Sequence, residues 1–488
     1  MKRFFYSFIL ILMATSEPGW SAFSCEEQLR LVAVKSSYLI GMAGNASGST
    51  LAGKTAALGF QTLHLRFKAV DPDVDKTFPG SDIFAQQWSV EGTHELPEVA
   101  HQIARFAQQS GRPLRGASPG MDLAVYSVDF LSAAFGLQAN SVELGDWRSN
   151  KGKVHEAMQA AGLPTPNTQF FQTPEELQRQ AEFLPYPLLA KPVSGSGSVG
   201  AGSFFSANAL RQGLAPLVEE NRKRQNHDRG LLVQELLQPA GYIPFVNTVS
   251  YRQKDGTVRR VVTGVWEDVR GEDFPKEVWD AIYLCPSEKY LSSDRLRFFQ
   301  TIREADRKTL RALGAEVGVT HNEYMGNPHR LIDPNWRLPG LDSPSLEALA
   351  TGMNPYHMEI ASRVLPSVLD EYPDVYTFKG QIQPALVFIR SHHDGEVTEK
   401  GVEWLEQRLK LGQKWLATWN AGNFDSPEQT VIIRRGGKKA HASAYMTKNG
   451  RTLVEWLQVV GPDRESVEAF VRDVRQKERE NFFVQPSN

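Results

Sequence analysis

One short stretch constrains this chain more than any other. His321-Asn322-Glu323-Tyr324-Met325 is followed by Gly326-Asn327-Pro328-His329-Arg330 and then by Leu331-Ile332-Asp333-Pro334-Asn335-Trp336-Arg337. Gly, Asn and Pro between two apolar-polar alternations are turn chemistry, so the segment predicts a β-hairpin. With the loop at Asn327-Pro328-His329, Glu323 falls opposite Asp333, and opposed residues bring their Cβ atoms to about 5 Å. Two-residue alternation puts His321, Asn335 and Arg337 on the same face. Facing carboxylates repel unless a cation lies between them. The all-oxygen set Glu323, Asp333 and Asn335 suits magnesium, which takes few protein ligands and fills its shell with phosphate oxygens and water. Arg337 extends that face with a guanidinium able to hold a phosphate or carboxylate.

A second segment offers anion chemistry. Pro187 to Pro192 reads as a buried strand and runs into Ser194-Gly195-Ser196-Gly197-Ser198-Val199-Gly200. Successive N–H groups of such a loop can cradle phosphate oxygens, and Lys191 at the strand end is a point charge for the same phosphates. Neither the P-loop pattern nor a dinucleotide fingerprint is present. Lys151, opening a helix predicted over Ser149–Ala161, is by itself an ordinary lysine.

Around these segments the chain alternates strand and helix signals. Leu29 to Ile40, a helix at Leu51–Leu58 and a strand at Phe60–Phe67 suggest a β-turn-α-β opening. Helices at Pro97–Gln109, Asp122–Ala134 and Arg295–Val317, and strands at Gly230–Leu237, Ile243–Tyr251 and Arg259–Trp266, follow. The expected division is a signal-like segment at 1–27, an α/β domain at 28–140, a two-lobed domain at 141–370 (lobes 151–240 and 241–370) and an α+β region at 371–488. A length of 488 residues allows such a multi-lobed enzyme its own core without staples. The net charge of −2 argues against a nucleic-acid partner. Two cysteines, Cys25 and Cys285, cannot by themselves build a zinc site or a disulfide framework. Lys2-Arg3, the apolar run Phe4–Ala14 and Trp20-Ser21-Ala22 form the tripartite pattern of a secretory signal, too short for a comfortable membrane span.

In order and spacing these pieces resemble the ATP-grasp superfamily, in the branch of the L-amino acid ligases and, more distantly, biotin carboxylase. The marks are Asn150-Lys151, Ala161-Gly162-Leu163-Pro164-Thr165-Pro166, Leu188-Leu189-Ala190-Lys191-Pro192 with its loop, Val233-Gln234-Glu235-Leu236-Leu237, His321-Asn322-Glu323 and Asp333-Pro334-Asn335-Trp336-Arg337. Upstream, Pro119-Gly120-Met121-Asp122 is similar to the preceding lobe of that family.

The resemblance implies an α/β and α+β multi-lobed ATP-grasp fold with a pre-ATP-grasp domain. It implies that Lys151, Lys191 and Ser194, Gly195, Ser196, Gly197 and Ser198 bind ATP phosphates, while Gln234, Glu235 and Leu237 bracket the adenine. Glu323, Asp333 and Asn335 would hold magnesium or manganese, and Arg337 would stabilise an acyl phosphate. The implied activity joins a carboxylate to an amine with release of ADP and phosphate. The alternatives are a carboxylase, a thiol-acylating ligase or a silent nucleotide-binding member; no biotinyl-carrier segment is present. Two departures stand out. Asp333 replaces the usual glutamate, and Pro244 precedes Phe245 where a glutamate is common. Expected partners are a small carboxylate and amine, without nucleic acid or a stable membrane span, and with a homodimer left open. Trp266, Trp336, Met353 and Tyr356 suggest a partly apolar pocket. The N-terminal pattern favours secretion and ATP use favours the cytoplasm, and location stays open between them.

Overall fold

The structure is a computed structural model that describes residues 24–33, 38–42, 46–67, 84–193, 201–223, 230–237, 242–270, 279–391, 395–436 and 452–486. Residues 1–23 of the signal-like segment and the glycine/serine loop Ser194–Gly200 lie outside the described residues. Among the described residues no helix is long and apolar enough to cross a membrane.

The first element corrects the sequence reading. Cys25–Ala33 is a helix, and the first strand is β1 (Tyr38–Met42). Cys25, Leu29 and Ala33 recur at four-residue spacing, so they form one buried helical face. With β2 (Gln61–Phe67), β3 (Phe84–Val90) and β4 (Leu114–Pro119), β1 builds a parallel sheet of order β3-β2-β1-β4. Parallel strands need crossover connections: the helix Ala46–Ala57 links the neighbours β1 and β2, and Leu96–Ser110 carries the chain from β3 at one edge to β4 at the other.

A second, antiparallel sheet is formed by β5 (Thr168–Phe171), β6 (Leu188–Pro192), β7 (Gly202–Phe204) and β8 (Leu231–Glu235) in the order β5-β8-β6-β7. Its strands alternate cleanly. Leu188, Ala190, Leu231 and Val233 pack against Leu177, Leu210 and Leu214 of the helices Pro174–Gln180 and Ala207–Lys223. Leu189, Lys191, Leu232 and Gln234 consequently occupy the opposite face.

The third sheet comprises β9 (Tyr242–Arg252), β10 (Val258–Arg270), β11 (Trp279–Leu284), β12 (Gly318–Met325), β13 (Arg330–Asn335) and β14 (Gln383–Ser391), and a separate pair joins β15 (Gly395–Val397) to β18 (Val484–Pro486). Two later strands, β16 (Val431–Gly436) and β17 (Thr452–Gly461), complete the order β13-β12-β9-β10-β11-β14-β17-β16. The region after residue 371 thus adds three strands to the sheet that carries the hairpin.

Buried polar contacts dock the first domain onto β12. Asn140 Oδ1 accepts the N–H groups of Glu316 and Val317, both at 2.9 Å, and its amide donates to Val317 O at 3.1 Å. Ser118 Oγ donates to Glu359 Oε1 at 2.9 Å, and Glu359 Oε2 accepts Val319 N–H at 2.6 Å. These bonds satisfy groups that would be costly to bury alone, and they fix the root of the hairpin.

Candidate active site

The hairpin pairs Glu323 with Asp333 and His321 with Asn335 as expected, but the turn spans 326–329 and Met325 faces Arg330, so a register shift between Glu323 and Tyr324 is what brings the two carboxylates opposite each other. Asp333 lies where the second sheet meets the hairpin of the third, with one lysine on its carboxylate and another on the carbonyl of the preceding residue. Lys191 reaches across from β6 and donates from Nζ to Ile332 O at 2.9 Å. Lys151 forms an ion pair from Nζ to Asp333 Oδ1. Its helix, Lys151–Ala160, is fixed at its start by two contacts. The Asn150 side chain caps it by accepting from Gly152 N and Lys153 N, and Lys151 N donates to Val193 O at 3.0 Å, tying the helix start to the end of β6.

Arg337 continues the face and donates to Asp122 Oδ2 of the first domain at 3.0 Å and to Leu338 O at 2.9 Å. Three structural units therefore converge within a few side chains. Two of the sequence-assigned residues face different neighbours. Gln234, on the cleft face of β8, lies with Nε2 at 2.5 Å from His155 Nε2 and donates to Thr168 Oγ1 at 3.0 Å. Glu235 accepts Asn167 N–H at 3.1 Å and pairs with Arg330 of the hairpin. Leu237, two residues beyond β8, is half-buried.

The electrostatics follow from crowding cations at a partly desolvated cleft. Burial, then the charge of Lys151, lowers the Lys191 ammonium to about 7, with Glu323 opposing. Burial also lowers Lys151; Asp122 and Glu323 oppose that shift and Arg337 adds to it. His155 falls to about 3 through burial and both lysines, so it is neutral at physiological pH. Reasoning from sequence missed His155, although it lies one helical turn from Lys151 on the same face.

Among the described residues no group of three or more His, Cys, Asp or Glu side chains is gathered to hold a metal. The hairpin offers Glu323, Asp333 and the buried amide of Asn335. Glu323 and Asp333 keep 33% and 22% of their side chains exposed, so both can take further ligands. The ammonium of Lys151 on Asp333 shows that this face accepts a cation. An all-oxygen set of two carboxylates and an amide fits a hard divalent ion whose remaining ligands are water and phosphate.

The expected apolar pocket is corrected. Trp266, Trp336, Met353 and Tyr356 are at most 4% exposed and belong to one continuous core. Trp266 Nε1 donates to Glu347 and Tyr356 OH to Asp342, both inside the core, while Trp336 Nε1 is buried without a hydrogen bond among the described residues. Neither cysteine is available for catalysis. Both are buried, and burial pushes the Cys25 thiol up to about 12 and that of Cys285 well above its ordinary value.

No family model matches the sequence. A 97-residue stretch is 32% identical to the formate-dependent phosphoribosylglycinamide formyltransferase of Bifidobacterium adolescentis, covering 20% of this chain and 24% of that protein, about a quarter of its length. Solved structures match over nearly the whole chain. The L-amino acid ligase of Bacillus licheniformis superposes with a TM-score of 0.65 at 16% identity, covering 93% of this chain and all 100% of that one. The carboxyaminoimidazole ribonucleotide synthase of Aspergillus clavatus, solved with ATP, gives 0.61 at 16% identity over 91% and 99%. The biotin carboxylase of Campylobacter jejuni gives 0.57 at 14% identity over 93% and 98%.

Proposed function

The chain has the ATP-grasp fold, and from that premise we propose that it is an ATP-dependent carboxylate–amine ligase working through an acyl phosphate. The observation that carries this reading is the contact of Lys191 Nζ with Ile332 O, which brings the lysine of the second sheet against the carboxylate hairpin of the third. Lys151 and Lys191 bind the phosphates of ATP, and the hairpin carboxylates bind the metal–phosphate complex from the other side. A divalent ion held by Glu323, Asp333 and Asn335 supplies charge neutralisation and alignment for phosphoryl transfer.

The residues divide the remaining work. Burial, and after it the charge of Lys151, lets Lys191 give up its proton readily in the free site; an incoming triphosphate restores the proton and gains two charge-assisted bonds. Arg337, aimed along the hairpin face, exchanges Asp122 for the acid's carboxylate and orients it toward the γ-phosphate. The same guanidinium offsets charge that develops on the acyl oxygen when an amine attacks. Ser194, Gly195, Ser196, Gly197 and Ser198 bind the phosphates in this reading, and keeping water from the mixed anhydride protects it from hydrolysis.

The test is a phosphate-release screen of acid and amine pairs, amino acids first, with products identified by mass spectrometry. At least one pair is expected to give ADP, phosphate and an amide in equal amounts, and Lys191→Met and Glu323→Gln are expected to abolish all three. ATP binding without ADP formation across the panel would overturn the proposal.

A further inference from the structure

Gln234 stands at the centre of a directional set of hydrogen bonds, on the face of the second sheet that it shares with Lys191. In the register of that sheet, Thr168 of β5 pairs with it on one side and Leu189 of β6 on the other. The helix Lys151–Ala160 runs over β5 and β8. A Cβ at Gly152 would lie 3.5 Å from the Leu232 side chain, and His155 reaches Gln234 itself. The β6 side is more open. Leu189 stays partly exposed there, and Lys191 follows two residues on, about 7 Å along the strand.

The direction of each bond follows from which groups have hydrogens to give. Pro166 O can only accept, so the Thr168 hydroxyl spends its hydrogen there, at 2.9 Å. The hydroxyl oxygen is left to accept, and it takes one hydrogen of the Gln234 amide at 3.0 Å. The other amide hydrogen meets His155 Nε2, 2.5 Å away, which must accept it. Burial, then the charges of Lys191 and Lys151, pushes the imidazole down to about 3, so the neutral ring has that lone pair to offer. With its NH₂ turned to Thr168 and His155, the planar amide turns Oε1 away from both, to the Leu189 side. Among the described residues that oxygen meets no donor. The arrangement has a cost. His155 Nδ1, which then carries the ring hydrogen, is buried with no acceptor among the described residues. A leucine at position 155 would fill the space without that cost, so the imidazole has a use that packing does not explain.

We propose that Thr168 and His155 are specificity-determining residues: they lock the Gln234 amide so that it offers the base of the nucleotide an acceptor and never a donor. The inference rests on the ligase reading above and names the base that the site selects. With the triphosphate on Lys191 and Lys151, the purine lies over Leu189 with its edge at Gln234. A 6-amino purine gives Oε1 the hydrogen it lacks. A 6-oxo purine sets oxygen against oxygen, and the amide cannot turn to meet it without breaking its bonds to both Thr168 and His155.

Titration calorimetry of the full chain with ATP and with its 6-oxo counterpart ITP, both with magnesium, reads this as a ratio of affinities, which a partly misfolded sample leaves unchanged. The wild type is expected to bind ATP at least about tenfold more tightly than ITP, the worth of one hydrogen bond gained against one acceptor left unpaired. Thr168→Val removes the group that fixes the direction of the amide, since His155 serves either orientation by moving its hydrogen between its nitrogens; the ratio should fall to about one. Thr168→Ser keeps the hydroxyl and should restore the wild-type ratio. His155→Leu keeps only the Thr168 acceptor, and its ratio should fall between the two. Equal affinities in the wild type, or a wild-type ratio kept in both Thr168→Val and His155→Leu, would overturn the inference and leave the ligase reading standing. If neither triphosphate binds the wild type, the ligase reading fails and the inference falls with it.

Discussion

The two faces of β12 carry carboxylates in opposite circumstances. Toward the helix Ser293–Ala312, Asp306 is sealed from solvent and accepts from Asn322 Nδ2, Thr248 Oγ1 and Tyr324 OH at 2.7, 2.8 and 2.9 Å. Toward the cleft, one residue along the strand, Glu323 faces Asp333 across the hairpin and both remain partly exposed. The same backbone thus supports a closed polar network and an open one. The closed network contributes stability because three buried donors all find their acceptor in Asp306, although Asn322 Oδ1 is left without a hydrogen bond among the described residues. The open one holds facing carboxylates that Lys151 already offsets at Asp333 and that an added cation relieves further, so it contributes binding at the expense of stability.

Substitutions on the two faces should separate these roles. The largest expected effect is on activity: Glu323→Gln is expected to cut turnover by about a hundredfold or more while leaving the thermal midpoint unchanged or raised, checked by phosphate release and calorimetry on one preparation. Next is Asp306→Ala, which strands three buried donors and should destabilise the fold by about 3 kcal/mol, read as a shift in the denaturant midpoint. If the two variants lose stability equally, the contrast between the faces is void.

A pH series sharpens the comparison. Lys191 is lowered to about 7 by burial and by Lys151, so below that pH it is already protonated, and above it ATP binding must take up a proton. ATP affinity should therefore weaken by about tenfold per pH unit above 7, with proton uptake visible by calorimetry in buffers of different ionisation enthalpy. In Lys191→Met that slope should flatten. The smallest effect belongs to Tyr324→Phe, which removes one of the three donors to Asp306; it should cost about 1 kcal/mol and leave the KM for ATP unchanged.

What the sequence made legible was local. Gly326-Asn327-Pro328 marked the hairpin turn and Glu323 was expected opposite Asp333; that pairing is present, but through a bulge that simple alternation did not foresee. The buried strand ending at Lys191 was readable for the same reason, since Leu188 and Ala190 mark one face of β6 and Lys191 the other. The fold class followed from the order of these segments. Nonlocal features were hidden. Nothing near β14, β16 or β17 says that they extend the hairpin's sheet, because sheet order is decided by packing between distant segments. Apolar size did not distinguish a pocket wall from core, so Trp266, Trp336, Met353 and Tyr356 were misplaced. The Cys25–Ala33 helix was misread because its four-residue repeat is only three members long. Glu347 drew no reading from the sequence, because Gly264 and Asn247, which enclose it, are both remote along the chain.

The central claim is that the cleft joins a phosphate site to a carboxylate-activating face. Its most direct measurement follows oxygen atoms: with a substrate acid labelled with heavy oxygen at its carboxylate, an acyl-phosphate route must deliver one labelled oxygen to inorganic phosphate per turnover, and none in Lys191→Met. Product forming while the released phosphate carries only unlabelled oxygen would contradict the account.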